Sequence, residues 1–191
     1  MKKLLLAGCL ALLAVAVGVT VAAAHGGKGD GGRHLTGHLD GYQETPSIST
    51  LGNGEIKVKV NGSSIQYRLS YRDLGTDAHV AHIHLGQEGV AGGIVAFLCG
   101  DEGKPACPAR SGTVTGTIVA DDVHAIDAQG LTVKDIDAVI RALKAGAIYA
   151  NVHTTKFTAG EIRGQIGDDD HHGDRRHGNG RGNHDGDHDD D

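Results

Sequence analysis

The amino-acid sequence predicts a mainly β protein, folded as an antiparallel β-sandwich or barrel-like domain with one short helix. Apolar and polar residues alternate over residues 56–60 and 65–71, which is the period of a strand with one buried face. Asn61-Gly62 stands between these runs and is the strongest short-range signal for a β-hairpin. Many short strands with polar or glycine-bearing joints favour a sandwich or barrel over a parallel sheet.

The spacing of apolar residues also predicts the remaining elements. Thr132 and Asp135 resemble a capping box, an apolar stripe of helical spacing follows, and Gly146 is a typical terminator, so we expect a helix over residues 133–145. Because this helix lies between strands, it should cover one end or edge of the sheet. The other strand candidates are residues 35–39, 80–85, 94–99, 113–119, 147–154 and 161–166.

The N-terminus has the composition of a secretory signal peptide. Lys2 and Lys3 precede an apolar stretch that ends in three alanines, which predicts a signal over residues 1–24 with cleavage after Ala24. An uncleaved membrane anchor and a lipoprotein processing box at Cys9 are the alternatives. The expected destination is the periplasm or the cell exterior, without membrane insertion once the signal is removed.

Composition divides the rest of the chain into three parts. Residues 25–33 are a glycine-rich linker that we expect to be flexible, and residues 34–167 hold nearly all the remaining apolar side chains, enough for one domain. Residues 168–191 contain only Asp, His, Gly, Arg and Asn, so this tail is expected to be disordered.

The charge of the chain argues against nucleic-acid partners. It carries 18 basic and 24 acidic residues, a net charge of −6. Removal of residues 1–24 takes away two lysines and no acid, which leaves 16 basic against 24 acidic residues and a net charge of −8. Such a chain repels phosphate backbones and anionic lipid surfaces.

Cys99 and Cys107 flank a loop that contains glycine and proline. In an exported protein an isolated pair of this kind predicts a disulfide, which stabilises the fold by about 2 to 3 kcal/mol on the chain-entropy model. A thiolate metal or redox site is the alternative, but the Cys-x-x-Cys spacing is absent.

Three histidines form the candidate metal site. His82 and His84 are two residues apart in a predicted strand and therefore share one face, and His153 lies in another predicted strand. Neutral imidazole suits copper, zinc, nickel and iron, so we expect a transition metal, copper or zinc, at His82, His84 and His153. His79, Glu161 or a water molecule would complete the set of ligands.

Three motifs, taken in order, resemble the CHRD domain, a family named after chordin that also occurs singly in exported bacterial proteins. They are residues 38–46, residues 81–86 with Gly89 and Gly92, and residues 147–154 followed by 160–165. The resemblance covers about residues 35–167. It implies a β-rich extracytoplasmic module whose activity is poorly defined, with His82, His84, Asn151 and His153 at the family positions most like a site.

Two main function classes remain, and no catalytic or cofactor-binding motif distinguishes them. The favoured one is a non-enzymatic exported binding module that holds a metal ion, with the five histidines of the tail as accessory ion binders. The rival is a metalloenzyme, either redox-active and superoxide-dismutase-like or hydrolytic, which needs a general base or a positioning cation beside the histidines. A protein–protein adhesion module is the third alternative, with no partner indicated.

Overall fold

The computed structural model describes residues 32–168. The predicted signal peptide (1–24), most of the predicted linker (25–33) and the predicted tail beyond residue 168 lie outside these residues. The elements are β1 (His34–Asp40), β2 (Asn53–Asn61), β3 (Ser64–Arg72), β4 (Ala78–Leu85), β5 (Gly93–Cys99), β6 (Gly112–Ile118), α1 (Ile136–Lys144), β7 (Ile148–Thr154) and β8 (Ile162–Ile166).

The eight strands form one antiparallel sheet in the order β5-β4-β7-β8-β1-β2-β3-β6. The two edge strands, β5 and β6, lie beside each other without a ladder, so the sheet is a nearly closed barrel. The hydroxyl of Tyr67 on β3 donates to the carbonyl of Leu98 on β5 at 2.7 Å, across this seam. The predicted fold class, mainly β and barrel-like with one helix, is confirmed.

Strands β2 and β3 contribute every second residue to the interior of the barrel. In β2 and β3 the buried positions alternate with exposed or half-exposed ones, and Ile56 faces Leu69 while Val58 faces Tyr67. Strand alternation therefore places an apolar row inside and a polar row in solvent. The hairpin joins Asn61 to Ser64 as a pair, so its two-residue turn is one residue later than the predicted Asn61-Gly62.

The helix begins three residues later than the sequence predicts. Lys134 has a φ of 64°, which ends any helix before it, and the side chain of Asp135 accepts a hydrogen bond from the Ala138 N–H as the N-cap. The apolar face of α1 is buried, and Val139 lies with Leu85, Val95 and Ile148 around a small cavity against the sheet. Among residues 32–168, no helix has the length and apolar character needed to cross a bilayer.

A disulfide joins Cys99, the last residue of β5, to Cys107 in the loop before β6, with 5.1 Å between their Cα atoms. It therefore closes the loop at the seam of the barrel. The hydroxyl of Tyr71 on β3 donates to the carbonyl of Pro108, next to the bridge.

Strands β4, β7 and β8 depart from simple alternation because both of their faces are buried. Residues 81–84 are all buried, and so are residues 148–152 and 162–164. Their inward side chains join the hydrophobic core, including Ile83, Val152 and Ile162. Their outward side chains are largely polar, so a buried polar layer lies on the outside of the barrel at these three strands.

Candidate metal centre

The outward faces of three neighbouring strands bring the predicted histidines together. His82 stands opposite Asn151 and His84 opposite Tyr149 in the pairing of β4 with β7, and Asn151 stands opposite Arg163 in the pairing of β7 with β8. Directly opposed residues in an antiparallel sheet project from the same face. His82, His84 and His153 therefore share the polar layer with Asn151, Tyr149 and Arg163.

The three histidines are close enough to act as a ligand set. One ring nitrogen from each of His82, His84 and His153 lies within 4.8 Å of the other two. The closest pair is His82 Nδ1 and His153 Nε2, which are 3.0 Å apart. His82 and His84 are only 5% and 8% exposed, whereas His153 is half-buried at the edge of the group.

Backbone carbonyls fix which nitrogen of two rings carries the proton. His84 Nδ1 lies 3.1 Å from the carbonyl of Gly92, and His153 Nδ1 lies 2.9 Å from the carbonyl of Thr158. Since a carbonyl only accepts, both Nδ1 atoms are protonated donors and each neutral ring has a lone pair at Nε2. His84 Nε2 is buried and has no hydrogen-bond partner among the described residues.

The environment keeps these histidines in the neutral form that a metal ion requires. Burial, with smaller effects from the neighbouring histidines, lowers the pKa of His82 to about 3. Burial also lowers the pKa of His84 to about 4, against the opposing effect of its bond to Gly92, and the positive charge of Arg163 adds to the lowering. The pKa of His153 is lowered mainly by burial as well.

Aromatic and cationic side chains pack the walls of the site. Phe97 meets the His82 ring edge-on at 4.5 Å between centroids, and Tyr149 stacks on the His84 ring at 4.8 Å, with planes only 3° apart. The guanidinium of Arg163 lies 3.8 Å from the centroid of the Tyr149 ring. These contacts hold the rings of His82 and His84 in fixed orientations.

Loops from three parts of the chain cover the polar layer. Arg163 donates to the hydroxyl of Thr45, in the segment after β1, and to the carbonyl of Val90, in the β4–β5 loop. That loop folds back so closely that a Cβ on Gly92 would lie 1.7 Å from the Leu85 carbonyl oxygen, so glycine is required there. The third segment, after β7, supplies the Thr158 carbonyl.

Glu44 is a buried carboxyl at this site that the sequence did not single out as functional. Its Oε1 accepts a hydrogen bond of 2.9 Å from Asn151 Nδ2. Burial raises its pKa to about 7, and the attraction of Arg163 and the bond from Asn151 only partly counter that rise. Glu44 lies in the first family-like motif, residues 38–46, which is the one feature of the sequence that could point to it as a site residue. Nothing in that motif indicates that the side chain is buried beside β7.

The two additional ligands considered from sequence do not join the cluster. Glu161 is fully buried, and its carboxylate accepts hydrogen bonds from Thr50, Gly75 and Thr154. His79 is exposed and lies outside the group of three, and the pairing of β4 with β7 is irregular between Ala78 and Val80. Within residues 32–168, His82, His84 and His153 are therefore the only members of the candidate ligand set.

Fold and site together define a class: a barrel-like β module that carries a loop-covered histidine cluster on the outside of its sheet. Residues 35–166 match the CHRD domain, and the chain belongs to the CHRD family. This membership suggests a binding module, and CHRD domains are typically extracellular. Searches of curated proteins and of solved structures found no match.

Proposed function

We propose that this protein is an exported, non-enzymatic binding module that holds one transition-metal ion, copper or zinc, at His82, His84 and His153. The observation that carries the proposal is the buried Nε2 of His84, which has no hydrogen-bond partner within residues 32–168, on a ring whose Nδ1 is fixed by the Gly92 carbonyl. Metal-ligating histidines typically donate their second ring nitrogen to a carbonyl or carboxylate in this way.

The second ring supports the same interpretation. His153 repeats the pattern through Thr158, which leaves its Nε2 as an acceptor toward His82. In the metal-free protein His82 Nδ1 donates its proton to His153 Nε2. A metal ion held by His153 Nε2 would replace this hydrogen bond, and the neutral His82 ring would then carry its one proton on Nε2.

Three histidines leave at least one coordination position for water or another ligand. The tail adds a second, weaker capacity, because its five histidines and nine aspartates offer shifting sets of imidazole and carboxylate ligands. We propose that the tail gathers ions and the cluster retains one. The disulfide is consistent with export, since such bonds persist in oxidising compartments.

Stoichiometry in the intact chain tests the cluster separately from the tail. In a tail-silenced variant the five tail histidines are replaced by asparagine, and bound zinc and copper are measured after dialysis against each metal and then against metal-free buffer. The tail-silenced protein should retain about one ion per chain. The further change His82→Gln/His84→Gln should abolish retention, whereas the matched change His34→Gln/His38→Gln, at exposed positions of β1, should not.

Two results contradict the proposal. One is a tail-silenced protein that retains no ion, and the other is an ion that remains after His82→Gln/His84→Gln. Circular dichroism and thermal melting of each metal-free variant establish that it is folded. If the double variant fails to fold, His153→Gln at the half-buried edge of the cluster replaces it.

One observation favours a metalloenzyme as the second candidate. A carboxyl with a pKa of about 7 and a buried cation, Glu44 and Arg163, lie in the same polar layer as the histidines. These are the types of residue that a metal-dependent reaction uses as general base and positioning cation. Turnover of superoxide or of simple ester substrates by the metal-loaded protein, lost in Glu44→Gln, would support this class over the binding module.

A further inference from the structure

Two acidic side chains are buried among residues 32–168, and they differ in how their charge is satisfied. Glu161 receives three donors, from Thr50, Gly75 and Thr154. Glu44 receives one side-chain donor, Asn151 Nδ2 at 2.9 Å, and one backbone donor at Thr45. Glu44 is therefore the buried acid whose protonation state the surroundings leave free to change.

Asn151 connects Glu44 to the histidine cluster. It stands directly opposite His82 and two positions before His153 on the same face of β7. Gly160 packs directly against the side chains of Glu44 and Asn151. A Cβ at this position would lie 2.5 Å from Glu44 Oε1 and 2.6 Å from Asn151 Nδ2, which is too close. The Glu44 carboxyl is thus held one side chain away from the candidate ligands.

The charges around the cluster give this acid a role when a cation binds. Arg163 is 3% exposed, and no acidic oxygen within the described part of the chain lies within 4 Å of its guanidinium. The histidines are neutral, so a divalent ion would add two positive charges to a covered layer that already holds one. Positive charge added near a buried carboxyl favours its ionised form.

We infer that Glu44 is the proton-exchanging residue of this centre, protonated when no ion is bound and ionised when a divalent ion is bound. The inference rests on the proposed metal function. The exchange balances: one divalent cation enters, the Glu44 carboxyl becomes a carboxylate, and one proton leaves to solvent. Glu44 is a positioning residue that acts through Asn151 and through charge, without coordinating the ion.

Proton release coupled to metal binding makes the role of Glu44 measurable. His82 and His84 are already neutral above pH 5, and the Glu44→Gln protein keeps all three histidines, so any proton competition for the rings is common to both proteins. In the tail-silenced chain, zinc affinity should rise about tenfold per pH unit between pH 5.5 and 7 and level off by pH 8. Glu44→Gln should remove this slope and bind zinc about 10- to 100-fold more weakly at pH 8, where the lost carboxylate charge counts in full.

The experiment is a competition titration of zinc against a chromophoric chelator at five pH values, with released protons counted by an indicator dye in weak buffer at pH 6. About one proton per zinc is expected from the tail-silenced protein and close to none from its E44Q variant. Glu44→Asp should restore part of the slope, because it restores a carboxyl. Glu55→Gln, which removes an exposed carboxylate on β2, should change nothing and is the matched control.

Each outcome decides one question. Equal slopes and equal proton counts in the tail-silenced protein and in E44Q would overturn the role of Glu44 while leaving the metal site intact. Zinc bound by neither protein would instead overturn the proposed function. If E44Q does not fold, the proton count of the tail-silenced protein at pH 6 decides alone, and a value near zero contradicts the inference.

Discussion

Glu44 shows how a single side chain is shaped by its surroundings. Its side chain comes from the segment after β1, and burial raises its pKa to about 7 despite the nearby Arg163 and the bond from Asn151. A raised pKa means that the fold prefers the protonated form. Stability from this preference is fully present below pH 4.5, the ordinary value, and is lost as the pH rises through 7.

We therefore expect the metal-free protein to lose about 3 kcal/mol of stability relative to E44Q between pH 4.5 and pH 8. The measurement is urea unfolding of both proteins across this range, with the difference in free energy of unfolding plotted against pH. Contributions from His82 and His84 occur in both proteins and cancel in the difference. Parallel curves would show that the carboxyl is not held in its neutral form.

The residues of the site were only partly predictable from sequence. Strand alternation places His82 and His84 on one face of a strand, and His153 lies in a second predicted strand, so the sequence predicts a histidine site. The structure brings the three rings together. The burial of Glu44 and Arg163 beside the histidines could not be predicted, because Glu44 reaches Asn151 across 107 positions of sequence and Arg163 is covered by two loops. Local periodicity contains no information about such contacts. That the histidines bind metal stays a prediction.

At the scale of elements, strands were predicted more accurately than the helix. Alternation and glycine joints predict the eight strands found in the described part of the chain, since one apolar face along a barrel imposes a period of two. The helix was predicted to begin at residue 133 because Thr132 and Asp135 resemble a capping box. Asp135 is itself the N-cap, and the left-handed conformation of Lys134 excludes an earlier start.

Glu161 joins elements that are distant in sequence. Its carboxylate binds the Thr50 hydroxyl before β2, the Gly75 N–H before β4 and the Thr154 hydroxyl at the end of β7. Glu161→Gln replaces one acceptor oxygen by a donor, so at least one of these groups loses its partner inside the protein. An unsatisfied buried group costs about 1 to 3 kcal/mol.

Urea unfolding at pH 7 should show that loss for Glu161→Gln, and hydrogen exchange should increase first at Gly75. Glu55→Gln, at an exposed site, should change the free energy of unfolding by less than about 0.5 kcal/mol. A Glu161→Gln protein as stable as the parent would mean that the three segments are held by other contacts.

At the scale of the whole molecule, the barrel is open at one seam. β5 and β6 lack a ladder, and the connections at the seam include the Tyr67 hydroxyl, the Cys99–Cys107 disulfide and a hydrogen bond from Lys104 to the Thr117 carbonyl on β6. Cys99→Ala/Cys107→Ala should lower the free energy of unfolding by about 2 to 3 kcal/mol. Denaturation of the oxidised, reduced and double-variant proteins tests this, and a difference below about 1 kcal/mol between oxidised and double-variant forms would contradict it.

The two faces of β4, β7 and β8 can diverge in sequence separately during evolution. Ile83, Val152 and Ile162 point inward and maintain the fold, while their neighbours His82, His153 and Arg163 point outward. Substitutions on the outward row leave the inward row intact. The chemistry of the outward row can therefore diverge between relatives while the inward row that forms the core is inherited.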